Sequence, residues 1–430
     1  MEVHTLNSTV IPHDLPSTSI TKIPLTIFDM LAPNMHFAVL YAFMPPTPTN
    51  AALKDGLKKA VRLFPTLAGH LAEKDDRCRP FNSLGGKGGG VLVVETSVEL
   101  ELLDILPLEP SPNLLQLHPP IDKAHHILQI QLNRFSCSGL VIGVTAHHRV
   151  ADGKSMSSFF VTWAKLVRGS HIDSFPVYNQ TMLVPRDPPR CDRDHWGIDF
   201  QPLPLLPSSL PSTLNSNEVC NMKVHYSGEF ISKIKAQMLQ KYSTFDVLMG
   251  QLWKNITRAR GLDPDMVTQI RVAVNGRPRM RPAAPTEYFG NMVINAYPRA
   301  YVKELIEGSI ANAVRLVHDA VGRVRDGYIQ SLIDFGAING GNVLVPVTDV
   351  EGLVLCPNLE VDSWLGFPFQ EVDFRDGGSL CGFVPSWIEV EGVVILMPML
   401  HEVDEGGVDV MVTLFENHAG LFRQISHSLY

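Results

Sequence analysis

Residues 139–146 read Gly-Leu-Val-Ile-Gly-Val-Thr-Ala, an apolar run of buried-strand length rich in β-branched side chains, which predicts a strand. Shortly after it, Met156, Phe159, Phe160, Trp163, Leu166 and Val167 recur at intervals of three and four, marking one face of an amphipathic helix. Ser155 is placed to cap that helix and Gly169 to end it. The same two periods recur on both sides. Residues 35–43, 91–95 and 127–132 predict strands, and 51–64 a helix stopped by Pro65. The stretch 185–220 is rich in proline and serine and suits an extended connector, because proline lacks an amide hydrogen and fixes φ. Beyond it, Ser243 and Asp246 form a capping box that opens a helix through Leu248, Met249, Leu252, Trp253 and Ile256 to Gly261. Residues 390–396 and 408–414 predict further strands. The reading is two mixed α/β domains, 1–184 and 221–430, joined by a crossover at 185–220.

Composition narrows the class. A chain of 430 residues has ample length for large cores, and 45% hydrophobic with 19% charged residues is ordinary for a soluble globular protein. A net charge of −8 argues against general binding to nucleic acid or to an acidic membrane surface, though not against a local basic pocket. The six cysteines are scattered without a Cys-x-x-Cys pair, so reduced thiols are expected rather than a zinc ribbon, redox pair or disulfide scaffold. The first residues lack a basic start followed by an apolar block, and no apolar run is long enough to span a bilayer. A cytoplasmic location is expected.

The pattern His-x-x-x-Asp occurs three times, at His118/Asp122, His148/Asp152 and His195/Asp199. His118 precedes two prolines and His195 lies in the polar connector, so both read as loop residues. His148 falls where a predicted strand runs into a predicted helix, a setting that lets a side chain enter a cleft from a fixed backbone. Gly153 follows Asp152 and permits a close turn. The plain alternative is a core histidine bonded locally and a carboxylate capping the next helix. No third ligand is spaced to make a metal site with His147 and His148, so none is expected.

Other stretches weigh less. The glycine-rich loop 85–90 opens a strand rather than a helix and lacks Gly-Lys-Ser/Thr, so it reads as a turn and not as a phosphate cradle. The arginines of 275–281 suit either an anion or a buried aspartate. Residues 361–378 mix aromatic, acidic and glycine residues, and alone they read as a surface loop.

Taken together and in order, these segments resemble the plant BAHD family of coenzyme-A-dependent acyltransferases. The likeness is carried by His148 to Gly153, by Asn275 with Arg277 and Arg279, by Tyr288 to Asn291, and by Asp373 to Gly377. The last reads Asp-Phe-Arg-Asp-Gly where the family usually has Asp-Phe-Gly-Trp-Gly. The resemblance implies two chloramphenicol-acetyltransferase-like mixed-sheet α/β domains with a channel between them and His148 near its middle. It implies acyl-CoA as co-substrate, no permanently bound cofactor, and a monomer. Asp152 and Asp373 would be structural, with Arg277 or Arg279 as partners.

Within the family, residues 23–29, 39–46, Glu360 to Trp364 and 390–392 look like the cereal amine N-hydroxycinnamoyltransferases. O-acylating shikimate and quinate relatives typically carry arginine where this chain has Gly366, and hydroxyl-bearing residues matching Phe37 and Val39. The expected acceptor is therefore a primary amine such as tryptamine or agmatine, and the donor a hydroxycinnamoyl or benzoyl thioester. The alternatives are an O-acyltransferase for a shikimate-like alcohol and a catalytically silent binder. His148 is the expected general base, since a neutral imidazole with a pKa of about 6.5 can take a proton from the amine adduct. His36, Phe37, Tyr41, Asn291, Trp364 and Gly366 are expected near substrate, and Asp29, Glu287, Glu371 or Asp376 are candidates to meet a cationic tail.

Overall fold

A computed structural model describes residues 1–13, 20–72, 80–85, 88–121, 124–201, 219–340, 344–349, 354–374, 380–400 and 404–429. Asp122, Arg375, Asp376, Gly377, Cys78 and residues 202–218 of the connector lie outside the described residues.

Two large sheets carry the molecule. The first has six strands in the order Val3–Ile11, Val91–Val98, Leu128–Phe135, Leu140–His147, His36–Phe43, Leu380–Pro385. The helices Asn50–Leu63 and Gly153–Arg168 pack on it, burying Leu53, Leu57, Phe159, Phe160 and Trp163 against Ile130, Ile142 and Val144. The second sheet runs Val219–Tyr226, Val408–Phe415, Val393–Pro398, Leu359–Ser363, Val267–Asn275, Val293–Ala296. Its main covering helix is Thr244–Arg260, with the expected Ser243/Asp246 capping box and Gly261 in the left-handed region at φ 59°.

Period-two alternation decides which side chains of the second sheet reach the gap between the domains. Ile270, Val272, Val274, Leu359, Val361, Val394 and Leu396 all join the helix-side core. Arg271, Glu360, Asp362, Ile395 and Met397 alternate with them and point the other way. Ile395, Met397 and Met411 form a small cluster there with Trp364 and Phe383. Phe383 belongs to the first sheet, so this face of the second sheet looks toward the first.

The strand Leu380–Pro385 joins the first sheet although it lies far beyond the connector in sequence, pairing antiparallel with His36–Phe43. In return, the short helix Ile27–Leu31 of the N-terminal half packs among residues of the second core. Sheet membership therefore departs from a simple split at 185–220. Among the described residues, no helix is long and apolar enough to cross a membrane.

Candidate active site

His148 stands one residue past the strand Leu140–His147. Its backbone is held from both sides, donating N–H to Met35 O at 2.9 Å and accepting from Asn291 Nδ2 at 2.9 Å. The Phe37 ring lies 5.3 Å from the imidazole. Nδ1 is buried without a hydrogen-bond partner, and the residue as a whole is only partly buried. Burial pushes the imidazole below its ordinary pKa, against smaller upward pulls that include the charges of Asp152 and Glu360. Burial thus favours the neutral ring, the form a proton acceptor needs.

Asp152 points away from that nitrogen. It caps the helix Gly153–Arg168, accepting from Ser155 N at 2.9 Å, so the cap is Asp152 rather than the expected Ser155. Both of its oxygens also receive Arg277, from Nη1 at 2.8 Å and Nη2 at 3.1 Å, and Met292 N–H adds a fourth bond at 3.0 Å. Arg277 goes on to the carbonyls of Tyr288 and Gly290, which fixes the segment bearing Asn291. Asn291 in turn donates from N and Nδ2 to Asp29. Asp29 also closes a capping box with Thr26, so its carboxylate is occupied and does not stand open to a cationic substrate. Its role in supporting His148 through Asn291 has only a faint sequence signal, the Thr-x-x-Asp spacing of a helix start.

Asp373 pairs with Arg168 at 2.9 Å, not with Arg277 or Arg279. The reason is position: Arg168 closes the last turn of the helix whose first turn Asp152 caps. Arg279 instead donates to the carbonyls of Val321 and Val324, both at 2.7 Å, ending the helix Ile310–Arg323. Gly153 permits a close approach, since a Cβ there would lie 2.7 Å from the Phe367 ring. Gly366 has open space, with nothing within 4 Å of a built Cβ.

Aromatic rings gather in the core cluster that also takes in Val150 and Ala151, just after His148. Phe369 stacks on Phe383 at 4.3 Å, and Trp364 stands 6.0 Å from Phe369 and 6.2 Å from Phe383. Tyr41 is buried beneath them against Phe160 and Phe369. His36 takes the opposite side of its strand from Phe37, where its Nε2 meets His126 O at 2.9 Å and its ring meets His147 edge-on at 4.7 Å. Burial, reinforced by neighbouring positive charge, drives His147 down to about 3. Glu287 and Glu371 line a separate cleft of about 230 Å³ beside the helix start, together with Lys154 and Lys165.

The other two copies of the motif are structural in setting. His195 Nδ1 lies 2.8 Å from Asp199 and Nε2 3.0 Å from Ser331 Oγ, an arrangement like a hydrolase relay. All three side chains are shut in, at 1%, 1% and 0% exposure, and Ser331 Oγ accepts Arg193 N–H. The cluster staples the connector to the helix Asp326–Asn339. His118 is likewise buried, with Nε2 2.6 Å from Ser386 Oγ.

Glu360 and Asp362 share one face of the strand Leu359–Ser363. Their place in the gap was legible from the alternation Leu359-Glu-Val-Asp, with apolar residues at 359 and 361 buried. Glu360 pairs laterally with Arg271 of the neighbouring parallel strand.

This architecture and histidine setting define an acyltransferase of the two-domain type. The transferase family model matches residues 1–428, and the chain belongs to that family, the BAHD acyltransferases. It is 39% identical to tryptamine hydroxycinnamoyltransferase 2 of Oryza sativa subsp. japonica, over 94% of this chain and 93% of that one. It is 37% identical to agmatine hydroxycinnamoyltransferase 1 of the same plant, over 96% and 94%. Shikimate O-hydroxycinnamoyltransferase of Nicotiana tabacum is more distant, at 30% over 92% and 93%. Among solved structures, vinorine synthase superposes with a TM-score of 0.75 at 18% identity, covering 100% of this chain and 98% of that one, a likeness of fold.

Proposed function

We propose that this protein transfers a hydroxycinnamoyl or benzoyl group from its coenzyme A thioester to a primary amine, with His148 as general base. The observation that carries the reading is the His148 ring: pinned at its backbone, favoured as the neutral form by burial, only partly covered, and set beside Phe37. The higher identity to amine-acylating relatives than to the shikimate enzyme supports an amine over an alcohol. The open space at Gly366 fits a site without an arginine grip for a carboxylate-bearing acceptor.

In this mechanism the free amine attacks the thioester carbonyl and His148 Nε2 takes a proton from the zwitterionic adduct. As the oxyanion collapses, the C–S bond breaks and the imidazolium returns the proton to the departing thiolate. No covalent acyl-enzyme is needed, so Cys137 has no chemical role. Asp152 and Arg277 act as positioning residues that hold the turn after His148. We further propose a monomer at work in the cytoplasm; the unpaired thiols of Cys137, Cys191, Cys220, Cys356 and Cys381 support a reducing compartment.

The test is mass-spectrometric product detection. Coumaroyl-CoA and benzoyl-CoA are each offered to tryptamine, tyramine, agmatine, putrescine and shikimate. Amide products are expected; an ester of shikimate with no amide would overturn the proposal.

A further inference from the structure

The edge of the second sheet that carries Val293–Ala296 borders a cleft of about 680 Å³. That volume suits a small organic ligand. None of Met35, Phe37 and Asn291, which hold or touch His148, lines it. The chain as a whole has a net charge of −8, yet the cleft carries the opposite sign. Its lining includes Arg193, Arg271, Arg299 and Arg323 and, among the described residues, one carboxylate, Asp194.

We infer that this cleft binds a small molecule carrying two or more anionic oxygen groups, phosphate or carboxylate, at a place separate from the reaction centre. Strand register brings part of the charge together. Arg299, on the strand Arg299–Tyr301, pairs directly with Gln269, and Asn295 pairs with Ala273. Residues paired across a ladder share a face, and side chains alternate along each strand. Ile270, Val272 and Val274 take the helix-side core. Gln269, Arg271, Asn295 and Arg299 therefore stand together on the other face.

The floor beside them is built and fully bonded. Asp199, at 1% exposure, accepts the hydroxyls of Tyr297 at 3.2 Å and Tyr328 at 2.7 Å, and lies 2.8 Å from His195 Nδ1. Arg271 acts electrostatically on Tyr297 and Arg193 on Tyr328, so both guanidinium groups bear on this floor. Arg323 approaches from the last turn of the helix Ile310–Arg323.

Most of this charge is uncommitted. Arg271 is tied to Glu360, but the side chains of Arg193, Arg299 and Arg323 have no hydrogen bond or ion pair to any described residue. Asp194 spends an oxygen on Trp196 N–H at 3.0 Å. Like charges around one cleft repel, and an anion that bridges them relieves the repulsion. The guanidinium fork matches phosphate and carboxylate oxygens in bidentate pairs. Ile198, Val347 and Leu355 supply apolar surface for the organic body between the anionic groups.

Calorimetric titration of the full chain with inorganic pyrophosphate tests the site. Saturable binding is expected, weakening as salt is raised. Arg299→Ala and Arg323→Ala should each weaken it by about 10-fold or more, the loss that follows removal of a charge-assisted hydrogen-bonding group. Lys58→Ala, on the helix Asn50–Leu63, should leave it unchanged. Both arginine variants should keep the wild-type melting temperature, since neither side chain bonds to a described residue, which separates lost binding from lost folding. Pyrophosphate should still bind when coenzyme A is present at saturation. No saturable binding, equal binding in the arginine variants, or displacement by coenzyme A would overturn the assignment.

Discussion

Three histidines of this chain share the spacing His-x-x-x-Asp, and their surroundings separate them. His118 and His195 use both ring nitrogens in hydrogen bonds inside the protein. His148 is held through its backbone, and its ring Nδ1 has no hydrogen-bond partner. His148→Ala should reduce kcat by about 10²- to 10⁴-fold with an unchanged melting temperature; full turnover would remove the residue from the reaction. Asp362 carries a stability consequence with a definite sign. Its folded-state value of about 7 against an ordinary 3.8 means the fold favours the protonated acid. That stability is fully present below the ordinary value and is lost as pH rises through 7. Asp362→Asn should therefore raise the melting temperature more at pH 8 than at pH 5, and a gain independent of pH would contradict the buried setting. At this scale the sequence was most informative for His148, whose strand-to-helix context is local. The partner of Asp373 and the carboxylates of the gap depend on contacts between distant segments, which no local pattern carries.

The helix Gly153–Arg168 is the element that organises the site, because each of its ends is clamped by an ion pair. Asp152 with Arg277 holds the first turn almost fully buried, and Arg168 with Asp373 holds the last at 18% and 19% exposure. Breaking the buried pair should cost more, since it strands a charge away from water. Asp152→Ala is expected to lose about 3–5 kcal/mol of stability. Asp373→Ala should lose about 1–2 kcal/mol. Denaturant unfolding of the two variants checks the ranking; a costlier Asp373→Ala would reverse it. Strands and helices with strong periodicity were legible to within a few residues: the helix 51–64 is Asn50–Leu63, and the strand 127–132 is Leu128–Phe135. Short elements were not. Leu380–Pro385 lies past a glycine-rich, charged stretch and takes its strand character from the edge it completes on His36–Phe43.

That exchange of elements shapes the whole molecule. The first sheet needs a strand from beyond residue 379, and the second core takes in Phe28 and Leu31. Neither half holds its complete set of elements alone, so thermal unfolding should be one calorimetric transition; two resolved transitions would show independent domains. The site depends on the same exchange. His148 comes from the first sheet, the Glu360 and Asp362 face from the second, and Phe383 from the strand that crosses between them. The most direct test of the account is the initial rate of thiol release from coumaroyl-CoA, with and without tryptamine, in wild type and His148→Ala. The account predicts release that requires the amine, matches amide formation one for one, and falls by orders of magnitude in the variant. Release that is independent of the amine, or equal in the two proteins, would contradict it.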